Sequence, residues 1–111
     1  MELTDLRIGN YYYWYAEGKN YEMKVEAKDF SNDNYKNFSP IPLTEEILLN
    51  CQAVKSQERN DLFSLYTFTI IISDGKCNIF SGGSYITTIS YLHQLQNLFQ
   101  AIKGIELTIN F

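Results

Sequence analysis

Residues 62–73 read Leu-Phe-Ser-Leu-Tyr-Thr-Phe-Thr-Ile-Ile-Ile-Ser, a run dominated by β-branched and aromatic residues. Leu62, Tyr66, Phe68, Ile70 and Ile72 share one parity, and Phe63, Leu65, Thr67, Thr69 and Ile71 the other. Both faces are largely apolar, so the run reads as an interior strand. Asp74-Gly75 follows, and this dipeptide suits a type I′ turn because both central positions take positive φ readily. Residues 76–81 return, Gly82-Gly83 turns again, and 84–89 make a third strand. An antiparallel meander over 62–89 therefore anchors whatever fold the chain adopts.

The flanks add a hairpin and two helices. Residues 6–15 are β-rich, Glu17-Gly18-Lys19-Asn20 supplies a turn, and residues 21–28 alternate. Tyr21, Met23, Val25 and Ala27 fall on one wall and Glu22, Lys24, Glu26 and Lys28 on the other. This predicts an N-terminal hairpin over 6–29. The Asn-, Asp- and Ser-rich stretch that follows predicts a mobile loop over 30–42. Thr44 is a good N-cap, and Glu45 and Glu46 complement the positive end of a helix dipole. A helix over 44–54 then puts Leu43, Ile47, Leu48, Cys51 and Val54 near one face. Ser90 can cap a second helix, 90–103, in which Leu92, Leu95, Leu98, Phe99 and Ile102 recur at helical spacing and Gly104 stands where a terminating glycine belongs. Residues 105–110 alternate as a closing strand. The order ββ-α-βββ-α-β predicts one compact α+β domain over 1–111 with a mainly antiparallel sheet.

The charge balance narrows the function. Thirteen acidic residues oppose nine basic ones in a chain of 111 residues. Duplex nucleic acid and anionic membranes are bound through clustered Lys and Arg, and here the basic residues are scattered, so neither is an expected partner. The sequence contains no signal-peptide pattern and no apolar run of membrane-spanning length, which predicts a cytoplasmic protein. Cys51 and Cys77 form no CxxC pair, and one histidine cannot complete a four-ligand zinc site with them. They read as buried free thiols, with a disulfide between them left open. No GxxxxGK[ST] phosphate loop is present, and no cofactor is expected.

Three blocks form a recognisable set: Leu6-Arg7-Ile8-Gly9-Asn10, Pro40-Ile41-Pro42-Leu43-Thr44-Glu45-Glu46, and Tyr91-Leu92-His93-Gln94-Leu95-Gln96-Asn97-Leu98-Phe99 with Gly104 and Glu106-Leu107. Together they resemble a family of small uncharacterised Bacteroidetes proteins found in chromosomes, phages and mobile elements. The resemblance covers roughly a third of the chain, spread over nearly its whole length. It implies a bacterial or phage origin, a cytoplasmic setting and a compact domain. The family has no established activity, so no catalytic residue follows from it. The aromatic run Tyr11 to Tyr15 is heavier than the family pattern.

Two features stand above background. In a strand, Tyr11, Tyr13 and Tyr15 face one way and Tyr12 and Trp14 the other, and only one set can join the core wall. Large rigid rings left outside anchor protein interfaces or stack unpaired bases. The second feature is His93, Gln94, Gln96 and Asn97, an amide-rich helix face that either anchors a loop or recognises a partner's backbone. Tyr12, Trp14, His93, Gln94, Gln96 and Asn97 are accordingly the candidate interaction residues. The leading expectation is a non-enzymatic protein-interaction module, self-associating or bound to another protein. The alternatives are a small enzyme using His93 as acid/base and a single-stranded nucleic-acid binder using the Tyr/Trp hairpin.

Overall fold

The expected meander lies inside a five-stranded antiparallel sheet. A computed structural model describes residues 7–31 and 38–111. Residues 1–6 and 32–37 lie outside it, and with them the centre of the expected loop 30–42 and its expected mobility. The described elements are β1 (Tyr11–Ala16), β2 (Lys19–Lys24), α1 (Ala27–Ser31), β3 (Phe38–Ser39), α2 (Glu45–Asn50), β4 (Val54–Lys55), β5 (Leu62–Leu65), β6 (Phe68–Ser73), β7 (Lys76–Ser81), β8 (Ser84–Ile89) and α3 (Leu92–Lys103). The fold is α+β, and both of its sheets are antiparallel. The chain divides into two compact units, one from 1–41 and 91–106, the other from 42–90 and 107–111.

The second unit carries the sheet β4-β5-β6-β7-β8. Its turns at Asp74-Gly75 and Gly82-Gly83 have positive φ at both central residues, as the hairpin geometry requires. The run 62–73 is two strands rather than one. It breaks at Tyr66-Thr67, where Tyr66 adopts φ 56°, and β5 folds back on β6 with Leu65 opposite Phe68. The turn carries no glycine, proline or asparagine, so turn chemistry gave no warning of it. It also explains the two apolar faces. Phe63 and Leu65 are buried before the turn, and Phe68 and Ile70 after it. A two-residue loop changes the buried parity from odd to even. Each strand is thus buried on one face, and β6 remains interior between β5 and β7.

Helix α2 is shorter than expected. Thr44 caps it through its Oγ1, which accepts the Ile47 N–H at 3.3 Å. It stops after Asn50, because Gln52 takes φ 70° and the N–H groups of Gln52 and Ala53 bond back to the carbonyls of Leu49 and Leu48. This is a Schellman closure with glutamine in the place usually held by glycine. Leu43, Ile47, Leu48 and Cys51 are buried as the helical stripe predicts. Val54 lies past the stop and is exposed. The closing strand over 105–110 is absent; that segment pairs in no sheet among the described residues, buries Leu107 and bonds through the Asn110 N–H to the Asn50 carbonyl.

The first unit carries the sheet β2-β1-β3. Its hairpin forms around Glu17-Gly18 as expected. The two-residue strand β3 pairs beyond the other edge of β1, bringing Phe38 opposite Trp14. The expected alternation over 21–28 fails in two ways. All six residues of β2 are exposed, Tyr21 and Met23 included, because β2 is an edge strand with no layer over it among the described residues. From Ala27 the chain turns into the short helix α1, where the Asp29 carboxylate accepts the Glu26 N–H at 2.8 Å and closes the turn.

Helix α3 begins with Tyr91, not Ser90, as its N-cap, and ends at Gly104 with φ 74° as expected. Its buried face is Leu92, His93, Leu95, Gln96 and Phe99. Compared with the apolar stripe, the face is rotated toward His93 and Gln96. Leu98 is half-buried and Ile102 exposed.

Candidate functional site

The amides of α3 face inward. Gln96 is 1% exposed, and its side chain spans two backbone groups. Its Oε1 accepts the Tyr11 N–H at 2.8 Å and its Nε2 donates to the Gly9 carbonyl at 3.1 Å. Asn97 Oδ1 accepts from Asn10 Nδ2 and Arg7 Nε, both at 2.9 Å. Arg7 completes a fork onto the Glu106 carboxylate and donates further to the Gln96 carbonyl. Asn10 Oδ1 in turn accepts the Arg7 N–H at 2.8 Å, so the chain entering β1 is held in a tight turn. Gln94 closes the first turn of α3, its Oε1 accepting the Tyr91 N–H at 3.0 Å. These groups form a polar clasp between the start of β1 and α3, and one amide side chain replaces two backbone partners that a regular strand would have supplied. Arg7, Asn10 and Glu106 are the side-chain members that sequence reasoning about helix faces passed over. They stand in two of the blocks that carry the family resemblance.

His93 is buried and lies parallel to the Tyr91 ring, centroids 6.0 Å apart and planes 13° apart. No metal-competent cluster of His, Cys, Asp and Glu exists among the described residues. Cys51 and Cys77 are buried free thiols. Burial pushes Cys51 up to about 12 and Cys77 up to about 11, so both are held as neutral thiols. In the second unit a groove of about 360 Å³, at the low end of ligand-site sizes, runs past Thr44, Glu45, Asp61 and Ile72. Both of its carboxylates are engaged, Glu45 by Lys55 and Asp61 by Arg59, and the arginine holds the Asp61 carboxyl below its ordinary range.

The aromatic hairpin divides its rings unevenly. Tyr12 is 2% exposed and stacks on Phe38, centroids 3.6 Å apart, with Val25 in the same cluster. Burial, with Asp29 and Glu26 adding to it, pushes the Tyr12 phenol up to about 12. Trp14 packs edge-on to Phe38 at 5.7 Å and is half-buried. Of the two sets, Tyr12/Trp14 is therefore the inward one, and Tyr12, an expected interaction residue, is a core residue. Tyr15 is 65% exposed. The structure does not bring the six sequence-derived candidates to one surface: Tyr12, His93 and Gln96 are buried, and Gln94 and Asn97 serve the fold.

What remains outside is the β2 edge. β1 is its only strand neighbour among the described residues, and Tyr21 and Met23, opposite Trp14 and Tyr12, are 41% and 45% exposed. Lys24 lies over the Tyr11 ring at 5.7 Å. Among the described residues no helix is long and apolar enough to cross a membrane. Comparison with protein-family models, curated proteins and solved structures finds no match.

Proposed function

We propose that this chain is a protein-interaction module that works without catalysis, and that its docking element is the open β2 edge. The observation that carries the reading is a six-residue strand exposed at every position, with no strand on its outer side among the described residues and Tyr21, Met23 and the nearby Tyr15 presented around it. Strand edges of this kind bind other chains by extending the sheet, the backbone giving affinity and alternate side chains specificity. The cytoplasmic setting and the bacterial, phage or mobile-element origin belong to the same proposal and rest on the sequence blocks named above.

The acid/base alternative finds little support, because His93 is buried with its ring against that of Tyr91. Single-stranded nucleic acid is disfavoured because Lys19 and Lys24 are accompanied by Glu22 and Glu26. The test is a photo-crosslinking amino acid at position 21, with position 100 on α3 as control. The reading expects a protein adduct from position 21 that unlabelled chain competes away. Its absence, or salt-sensitive oligonucleotide binding in its place, would overturn the reading.

A further inference from the structure

The interaction reading leaves the occupant of the edge open, and the charge order of β2 selects one. The Val25 N–H bonds to the Asn10 carbonyl at 2.8 Å, on the line of the Tyr11–Lys24 register. Antiparallel pairs alternate, so the odd residues Lys19, Tyr21 and Met23 direct their backbone groups at β1. Asn20, Glu22 and Lys24 direct theirs outward. A chain added to this edge pairs through residues of that set.

We propose that the occupant is β2 of a second copy of this chain, paired antiparallel about a two-fold axis at Met23. This deepens the interaction reading and rests on it. An antiparallel self-pairing has few registers. An axis at Glu22 sets two glutamates opposite each other, and an axis at Lys24 sets two lysines opposite each other. An axis at Tyr21 leaves Glu22 facing Asn20. The axis at Met23 alone sets Glu22 against Lys24 of the second copy and Lys24 against its Glu22. It also makes those two pairs the hydrogen-bonded ones, as their outward backbone groups require. Met23 then meets Met23 in the central non-hydrogen-bonded pair, where side chains approach most closely. Tyr21, beside it on the same face, gains cover. The two three-stranded sheets merge into one of order β3-β1-β2-β2-β1-β3, and neither copy keeps an open β2 edge. Lysines on an edge strand ordinarily repel added chains. Here Glu22 lifts that repulsion in one register only. A ladder this short buries less than the ~1,200 Å² typical of stable complexes, so the dimer is weak, with a dissociation constant on the order of micromolar or higher.

Sedimentation equilibrium of the full chain, from about 10 µM to about 1 mM, reads the association. The wild type should dimerise reversibly. Glu22→Lys and Lys24→Glu should each weaken dimerisation on the order of tenfold or more by setting like charges opposite. Mixing the two variants should restore association, because every cross-pair between them is then of opposite sign. The double swap Glu22→Lys, Lys24→Glu should self-associate again. Thermal melts of each variant confirm that it is folded. A wild type that stays monomeric, or dimers indifferent to these changes, would overturn the proposal. Crosslinks from position 21 to a foreign protein only, with a monomeric wild type, would overturn it and leave the interaction reading standing.

Discussion

Gln96→Ala removes the hinge of the polar clasp. The side chain is 1% exposed and satisfies the Tyr11 N–H at 2.8 Å and the Gly9 carbonyl at 3.1 Å. Truncation strands both groups at a partly buried site. An orphaned buried donor or acceptor costs about 1–3 kcal/mol. Access of water to the partly buried groups reduces that, and the space left by the side chain adds to it. The expected loss is about 2–4 kcal/mol. Gln100→Ala, on the exposed face of the same helix, should change stability by less than about 0.5 kcal/mol. Gln94→Ala should fall between them at about 0.5–1 kcal/mol, since it loses the bond that closes the helix start. Urea melts followed by the fluorescence of Trp14, the only tryptophan, measure all three. Hydrogen exchange adds a local readout, in which the Tyr11 amide should lose protection in Gln96→Ala and keep it in Gln100→Ala. Equal midpoints for Gln96→Ala and Gln100→Ala would refute the clasp and return the amides to the role of a recognition face.

Gln52 and Tyr66 hold φ of 70° and 56°, where a β-carbon is strained, so Gln52→Gly and Tyr66→Gly should each raise stability by about 0.5–1 kcal/mol in urea melts. A loss at Gln52 would contradict the Schellman closure. Neither Cys51 nor Cys77 should react with a thiol reagent near about pH 8 until the chain unfolds, and prompt reaction in the native state would contradict their burial. The same burial sets a pH dependence. Folding favours the neutral thiols, raised from 9.0 to about 12 and about 11, and the neutral Tyr12 phenol, raised from 10.0 to about 12. Their contribution is complete below the unfolded values and is lost as pH rises from 9 through 11–12, so urea midpoints should fall over that window, and a flat alkaline limb would contradict the assignment.

The parts of the fold legible in the sequence were those written in local chemistry. Asp74-Gly75, Gly82-Gly83, Glu17-Gly18, Thr44 and Gly104 each mark a turn or a helix end that side-chain and backbone sterics dictate. The failures came where tertiary structure overrode local signals. Tyr66-Thr67 turns without a turn residue, and Gln52 ends α2 without glycine. The alternation of Tyr21, Met23 and Val25 is the pattern of a half-buried strand, but a sequence period cannot say whether a second layer arrives to cover it, and over β2 none does among the described residues. The amides of α3 carried a genuine signal, since four polar side chains in five residues exceed what an exposed face needs. Which backbone they serve depends on the contact of Gln96 with Tyr11, 85 residues apart in the chain. The aromatic run posed the question of parity correctly. Its answer, Tyr12 inward, depended on Phe38, which arrives on a strand too short to read from sequence.

The most direct test of the edge is amide hydrogen exchange in the wild type at low and high protein concentration. The account predicts that Glu22 and Lys24, whose N–H groups point outward from β2 and pair across the axis at Met23, gain protection as concentration rises, whereas Asn20, opposite Glu26 whose backbone groups already bond Asp29, does not. Tyr21 and Met23, already bonded to β1, should change little. Fast exchange at Glu22 and Lys24, independent of concentration, would contradict the pairing of β2 with its copy.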